Sequence, residues 1–209
     1  SNNFITNYSS ENWGSITSIS ISKFGDIKMG ENREHGFKSW GLTPLYSENS
    51  RYSYYSQPSS NSNENIQKNT GYSQVDLFQK FLVKIGGTNL LNINIQFSES
   101  SDIDRFDQLS ITKGNSLKFS EWYYGPQKRL LISPSLKIFP NRKFMKKGVI
   151  TFGFQKINES RIKRKFNSFN RSHQIENLKV FSLNGDFDTS FNNDHSISYG
   201  IESTYNYNY

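Results

Sequence analysis

The sequence predicts an all-β protein whose strands run up and down in one antiparallel sheet. Three observations predict it. Apolar and polar residues alternate with a period of two in several separate stretches. The chain holds no alanine, whereas 32 serines and 24 asparagines make up 56 of its 209 residues. Alanine is the best helix former and Ser and Asn are indifferent ones, so a helical bundle is excluded. The connections between the alternating stretches are long and short by turns.

The first strand is placed at 14–24, on Ile19 and Ile21. The second is 75–85, where Val75, Leu77, Phe81, Val83 and Ile85 share one face and Gln79 is the exception. Gly86-Gly87-Thr88-Asn89 then reads as a turn. The third, 91–98, sets Leu91, Ile93, Ile95 and Phe97 against Asn92, Asn94, Gln96 and Ser98. Together these two make a hairpin. The fourth, 129–139, aligns Leu130, Ile132, Pro134, Leu136 and Ile138. The fifth, 149–157, aligns Ile150, Phe152 and Phe154, and the sixth, 179–187, aligns Phe181, Leu183 and Phe187. The seventh, 195–209, aligns Ile197, Tyr199, Ile201, Tyr205, Tyr207 and Tyr209.

Between these seven strands the connections 25–73, 99–128 and 158–175 are long or middling, and those between them are short. Transmembrane β-barrels have this rhythm, with long outer loops and short inner turns. Strand 14–24 then runs outward. The aromatic residues Phe97, Phe187, Tyr205, Tyr207 and Tyr209 sit near strand ends, where a membrane–water girdle needs them. Alternation alone describes a soluble sheet with one solvated face equally well. A secreted or periplasmic β-sandwich that binds or adheres therefore stays open beside the barrel at this point.

Several functions are excluded or weakened. With no cysteine there is no disulfide scaffold, thiol nucleophile or Cys-ligated zinc. No window reaches the length of a spanning helix, and no targeting leader is visible. The three histidines are scattered and match no catalytic or metal motif, so no enzyme, cofactor or metal is expected. Asp102, Asp104 and Asp107 lack the glycine and terminal glutamate of a calcium loop and read as a solvated polar loop. Residues 128–165 carry twelve Lys/Arg and one acid, Glu159. Their two clusters, at 142–147 and at 161–165, fall at opposite rims, which argues against nucleic acid. The outer cluster suits lipopolysaccharide or an anionic ligand. Three N-x-S/T sequons, at Asn7, Asn158 and Asn170, are no more than this composition gives by chance.

Two stretches carry a family resemblance. Asn69–Leu131 holds NTGYSQVDLFQKFLVK, LLNINIQFSESSDIDRFDQLS and LKFSEWYYGPQKRLL. Val149–Asn206 holds VITFGFQKINESRIKRKFNS and VFSLNGDFDTSFNNDHSISYGIESTYN. With FGDIKMGENREHGFKSWG upstream, they resemble the barrel domain of TonB-dependent outer-membrane receptors of the Bacteroidetes type, from about residue 14 to the end. EWYYGPQKR is the most specific tract. The resemblance implies a 22-stranded barrel, of which seven strands are about a third. It implies a plug and a TonB-contact segment beyond this chain, so residues 1–209 are expected to be a partial barrel domain, seen alone as a curved open sheet. It also implies uptake of a scarce nutrient across the bacterial outer membrane, such as a ferric siderophore, haem or cobalamin. The implied partners are that nutrient, the TonB complex, outer-membrane lipid and lipopolysaccharide, and a surface lipoprotein.

No family binding residue maps onto this chain one by one. Candidates for ligand capture come from the outer loops: Arg33, His35 and Trp40 in the first, Arg105, Asp107, Trp122, Tyr123 and Tyr124 in the second, and Arg161 and Arg164 in the third. The residues 122–126 also suit a rim that merely packs and turns the chain.

Overall fold

Period-two alternation builds the protein as expected, chiefly in one large antiparallel sheet, beside which the long connections hold three two-stranded ladders. The structure, a computed structural model, describes residues 1–34, 36–48, 57–140, 142–190 and 195–209. In chain order the elements are β1 (Asn2–Ser9), β2 (Trp13–Phe24), β3 (Ile27–Lys28), β4 (Leu45–Tyr46), β5 (Ser59–Ser60), β6 (Ile66–Gln67), β7 (Tyr72–Ile85), β8 (Asn89–Ser100) and β9 (Ile103–Asp104). A short helix α1 (Phe106–Leu109) follows, then β10 (Thr112–Lys113), β11 (Ser116–Leu117), β12 (Phe119–Tyr124), β13 (Lys128–Ile138), β14 (Lys147–Lys165), β15 (Arg171–Ser190) and β16 (Ser196–Asn208). The long strands pair in the order β1-β2-β7-β8-β13-β14-β15-β16, each antiparallel to the next. Gly86 and Gly87, both at positive φ, make the tight β7–β8 turn.

Three expectations need correction. The sheet has eight long strands rather than seven, because Asn2–Ser9 pairs along its whole length with β2. The connection expected at 158–175 is mostly strand: β14 runs to Lys165 and β15 starts at Arg171, with unbroken register from Lys147↔Asp188 to Arg164↔Arg171. Part of 99–128 is strand as well. β12 continues β13 against the upper half of β14, and β9 pairs with β12. Tyr124 faces Arg161 and Lys128 faces Asn158, so four steps on one strand match three on the other. That bulge is the conformation of Gly125-Pro126-Gln127.

The sheet is open: β1 and β16 form its two edges, and it does not close on itself. Register fixes its faces. One cross-strand row holds Ile19, Leu77, Phe97 and Leu130; a second holds Gln79, Ile95, Ile132, Phe154, Phe181 and Tyr205. Another holds Trp13, Val83, Leu91, Leu136, Ile150, Gly185 and Ile201. From Val75 to Ile85 this apolar band covers ten steps of β7, about 34 Å of strand, or about 26 Å along a normal tilted 40° from it. The opposite face is polar and concave. A cavity of about 860 Å³ is lined by Ser18, Gln74, Asp76, Gln96, Arg129 and Gln155, which come from five successive strands.

Among the described residues no second layer covers the band. Phe4 is 63% exposed, Ile21 54%, Ile201 69% and Tyr205 64%, and among the described residues no large side chain is fully buried. The buried apolar residues are Leu117, Phe119, Tyr123 and Ile162, all at the rim of the long connections. The core therefore sits in the rim and not under the sheet.

The first long connection folds largely on polar knots. Asn61 Nδ2 donates to Thr43 O (2.8 Å) and Ile66 O (2.9 Å), and Thr70 Oγ1 accepts from Ile27 N at 2.8 Å. Its base is closed by Gly71, whose N–H donates to Asp26 Oδ1 at 2.9 Å. A Cβ on Gly71 would lie 2.8 Å from Phe24 O, with the backbone of Gly25 and Asp26 behind it. Gly71→Ala is expected to cost about 1–3 kcal/mol, because rigid backbone must move. A fall in melting temperature, with faster proteolysis within 25–71, checks this.

Candidate functional site

The rim holds two adjoining constellations, one on each side of β14. Alternation along β14 puts Arg161 and Lys163 on the side of Gln155, Ile157 and Glu159, which is the concave polar face. Register brings Tyr124 beside Arg161 and Trp122 beside Lys163. Arg105 reaches the same rings from its own loop. Its guanidinium lies 5.7 Å from the Trp122 ring centre and 5.8 Å from that of Tyr124. Arg161 stands 5.7 Å from Tyr124, and Lys163 stands 5.4 Å from Trp122. Each ring is thus flanked by two cations. Cation–π contact holds three long side chains in place and leaves the charges of Arg161 and Lys163 to attract an anion. Asp107 chelates Arg105 through two hydrogen bonds, of 3.0 and 2.6 Å. The bonds from Arg105 and Gln108 hold the Asp107 carboxyl below its usual range.

On the other side of β14 lies a buried ion cluster. Glu121 is 4% exposed and accepts two hydrogen bonds of 2.7 Å from Arg171 and one of 3.2 Å from Arg164. Burial opposes its charge, but the two guanidinium groups outweigh burial and hold its carboxyl below the usual range. Beside it is a cavity of about 610 Å³ between the two long connections, lined by Tyr46, Lys68, Asp104, Phe106, Glu121 and Tyr123, among others. Burial there, and then the charges of Asp102, Glu121 and Asp26, push the Asp104 carboxyl up to about 7. Among the described residues no group of three His, Cys, Asp or Glu side chains is placed to hold a metal ion.

The candidates from sequence divide accordingly. Arg105, Asp107, Trp122, Tyr124 and Arg161 meet in one place. Tyr123 is buried and lines the second cavity. Arg164 is 5% exposed and holds Glu121 and the Ser168 carbonyl, so its role here is to fasten β12 to β14. Arg33 donates to Trp40 O and to Asn65 within its own connection, and Trp40 is 63% exposed. His35 lies outside the described residues. Asp107 is solvated as expected, whereas Asp104 is not. Glu121 and Arg171 escaped the sequence reading, since they are fifty residues apart, and Lys163 was legible only as one member of the 161–165 basic cluster.

No protein-family model, no curated protein and no solved structure matches the chain.

Two outcomes are expected. Glu121→Gln leaves two crowded guanidinium groups without their counter-charge, and should cost about 3 kcal/mol of rim stability in chemical denaturation. For Asp104, the folded state holds its proton up to about 7 while the unfolded chain releases it near 4. The folded state therefore binds more protons across that window, and stability falls as pH rises through it, by about 4 kcal/mol at most. Melting curves recorded from about pH 4 to 8 should show this slope, and Asp104→Asn should flatten it.

Proposed function

We propose that this chain forms part of the wall and outer rim of a TonB-dependent outer-membrane receptor of the Bacteroidetes type. Its cargo would be a scarce nutrient such as a ferric siderophore, haem or cobalamin. The observation that carries this reading is the uncovered apolar face of the single sheet. A β-sandwich buries two apolar faces against each other. Here one face is polar and concave, while the other exposes a continuous band of Ile, Leu, Val and Phe. A bilayer is the solvent that such a band fits, and its estimated height of about 26 Å suits the apolar belt of outer-membrane barrels, about 25 Å. Aromatic pairs flank it as girdles do: Tyr8–Trp13 and Phe187–Tyr199 at one end, Tyr207–Tyr209 at the other. In lipid the backbone groups of β1 and β16 need neighbours, and further wall strands supply them in this reading.

The rim then meets the ligand first. The ring of Arg105, Arg161 and Lys163 around Trp122 and Tyr124 opens onto the concave face. It would draw an anionic, flat or ring-bearing ligand toward the lumen, where Gln74, Asp76, Gln96 and Arg129 offer polar contacts. Transport against a gradient is assigned to the TonB complex.

The test is uptake in source cells. Deleting the native gene should abolish uptake of one such nutrient, and removing TonB should abolish the same one. The wild-type gene and Asn92→Arg, on the concave face, should restore uptake. Ile93→Arg, at mid-height of the band, should not, since a lipid-facing arginine there costs about 2–4 kcal/mol. Equal performance by the two arginine variants would sink the reading.

A further inference from the structure

Lys156 and Lys179 stand directly opposite each other across β14 and β15. Like charges in that position destabilise a sheet. Their row runs Leu130, Lys156, Lys179, Tyr207, on the apolar side of the sheet. One row inward is the Phe154–Phe181 pair, with ring centres 5.1 Å apart. One row outward is Asn158, hydrogen-bonded to Asn177. The two lysines therefore mark the upper edge of the apolar band and face away from the lumen. The nearest acids along these strands, Glu159 and Glu176, are paired on the opposite face. Glu99, on the same face as the lysines, is taken by Lys128 at 2.7 Å. Among the described residues neither Lys156 nor Lys179 forms an ion pair. Lys179 Nζ lies 5.1 Å from the Tyr209 ring centre, which fixes its direction toward β16.

We infer that Lys156 and Lys179 bind the phosphate of a phosphorylated lipid headgroup in the outer leaflet. This rests on the membrane reading above. Two lysines paired across the strands at the boundary between apolar band and polar rim have the height and sign to hold a phosphate whose acyl chains run down over Leu130, Phe154 and Phe181. The Asn158–Asn177 pair borders the site with amide groups, and Tyr207 and Tyr209 close its flank. The occupant supplies the counter-charge that the sheet itself omits.

The test uses the whole protein purified from the outer membrane and placed in phosphatidylcholine nanodiscs, with or without bisphosphorylated lipid A. Lipid A should raise the melting temperature. K156Q or K179Q should each weaken its binding about fivefold, and K156Q/K179Q about thirtyfold, at about 1 kcal/mol per lysine. K156R/K179R should bind like wild type. Inorganic phosphate should not compete. If K156Q/K179Q inserts, shifts on heating and still binds lipid A as wild type does, this site is wrong and the membrane reading stands. If inorganic phosphate competes at equal affinity, the site serves free phosphate and the lipid assignment is overturned. If the wild type never inserts, the membrane reading fails and takes this site with it.

Discussion

The ladder between β14 and β15 is the contact on which the rest of the molecule depends. It runs without a register shift from Lys147↔Asp188 to Arg164↔Arg171. Because side chains alternate, that one register assigns every residue of β14 to a face, and a slip of one would exchange them all. Ile150, Phe152 and Phe154 go to the apolar band; Gln155 and Glu159 go to the concave face. Above the band the same alternation splits the basic tract. Arg161 and Lys163 face the aromatic ledge, and Arg164 turns back to Glu121. One strand thus carries part of the apolar band, the aromatic ledge and the bolt that secures the rim.

The two halves of the molecule are stabilised differently. In the band, backbone ladders and cross-strand pairs such as Phe154–Phe181 hold strand to strand. The apolar side chains there contribute through whatever covers them, because among the described residues no protein layer does. In the rim, Leu117, Phe119, Tyr123 and Ile162 form a small core around the Glu121–Arg164–Arg171 cluster. Such a cluster is a costly thing to bury, and its value lies in fixing orientation. It sets β12 against β14 so that Trp122 and Tyr124 emerge on the other side with their rings held between cations.

The legible parts of the sequence were those where one face is apolar and the other polar. The 75–98 hairpin, with its Gly-Gly turn, reads directly from the residues. β1 was illegible because Ile5 sits on the face opposite Phe4 and Tyr8, which breaks the alternation. The upper halves of β14 and β15, NESRIKRK and RSHQI, read as a loop because above the band both faces are largely polar or charged. The tract EWYY hid β12, since one of its faces is buried by loops and so alternation carries no polarity contrast. In the rim, Trp122, Tyr124, Arg105 and Arg161 could be picked out as residue types suited to recognition. The partnership of Glu121 with Arg171 needed the fold, because nothing local links residues that far apart in the chain.

The central claim is that the apolar face of this sheet is solvated by lipid as part of a closed wall. The most direct measurement takes membranes and soluble extract from the source cells and runs both on a gel, boiled and unboiled, with detection by immunoblot. The account predicts a band in the outer-membrane fraction whose mobility changes on boiling, as a barrel that resists detergent until heated should show. A band confined to the soluble extract, with the same mobility before and after boiling, would contradict it.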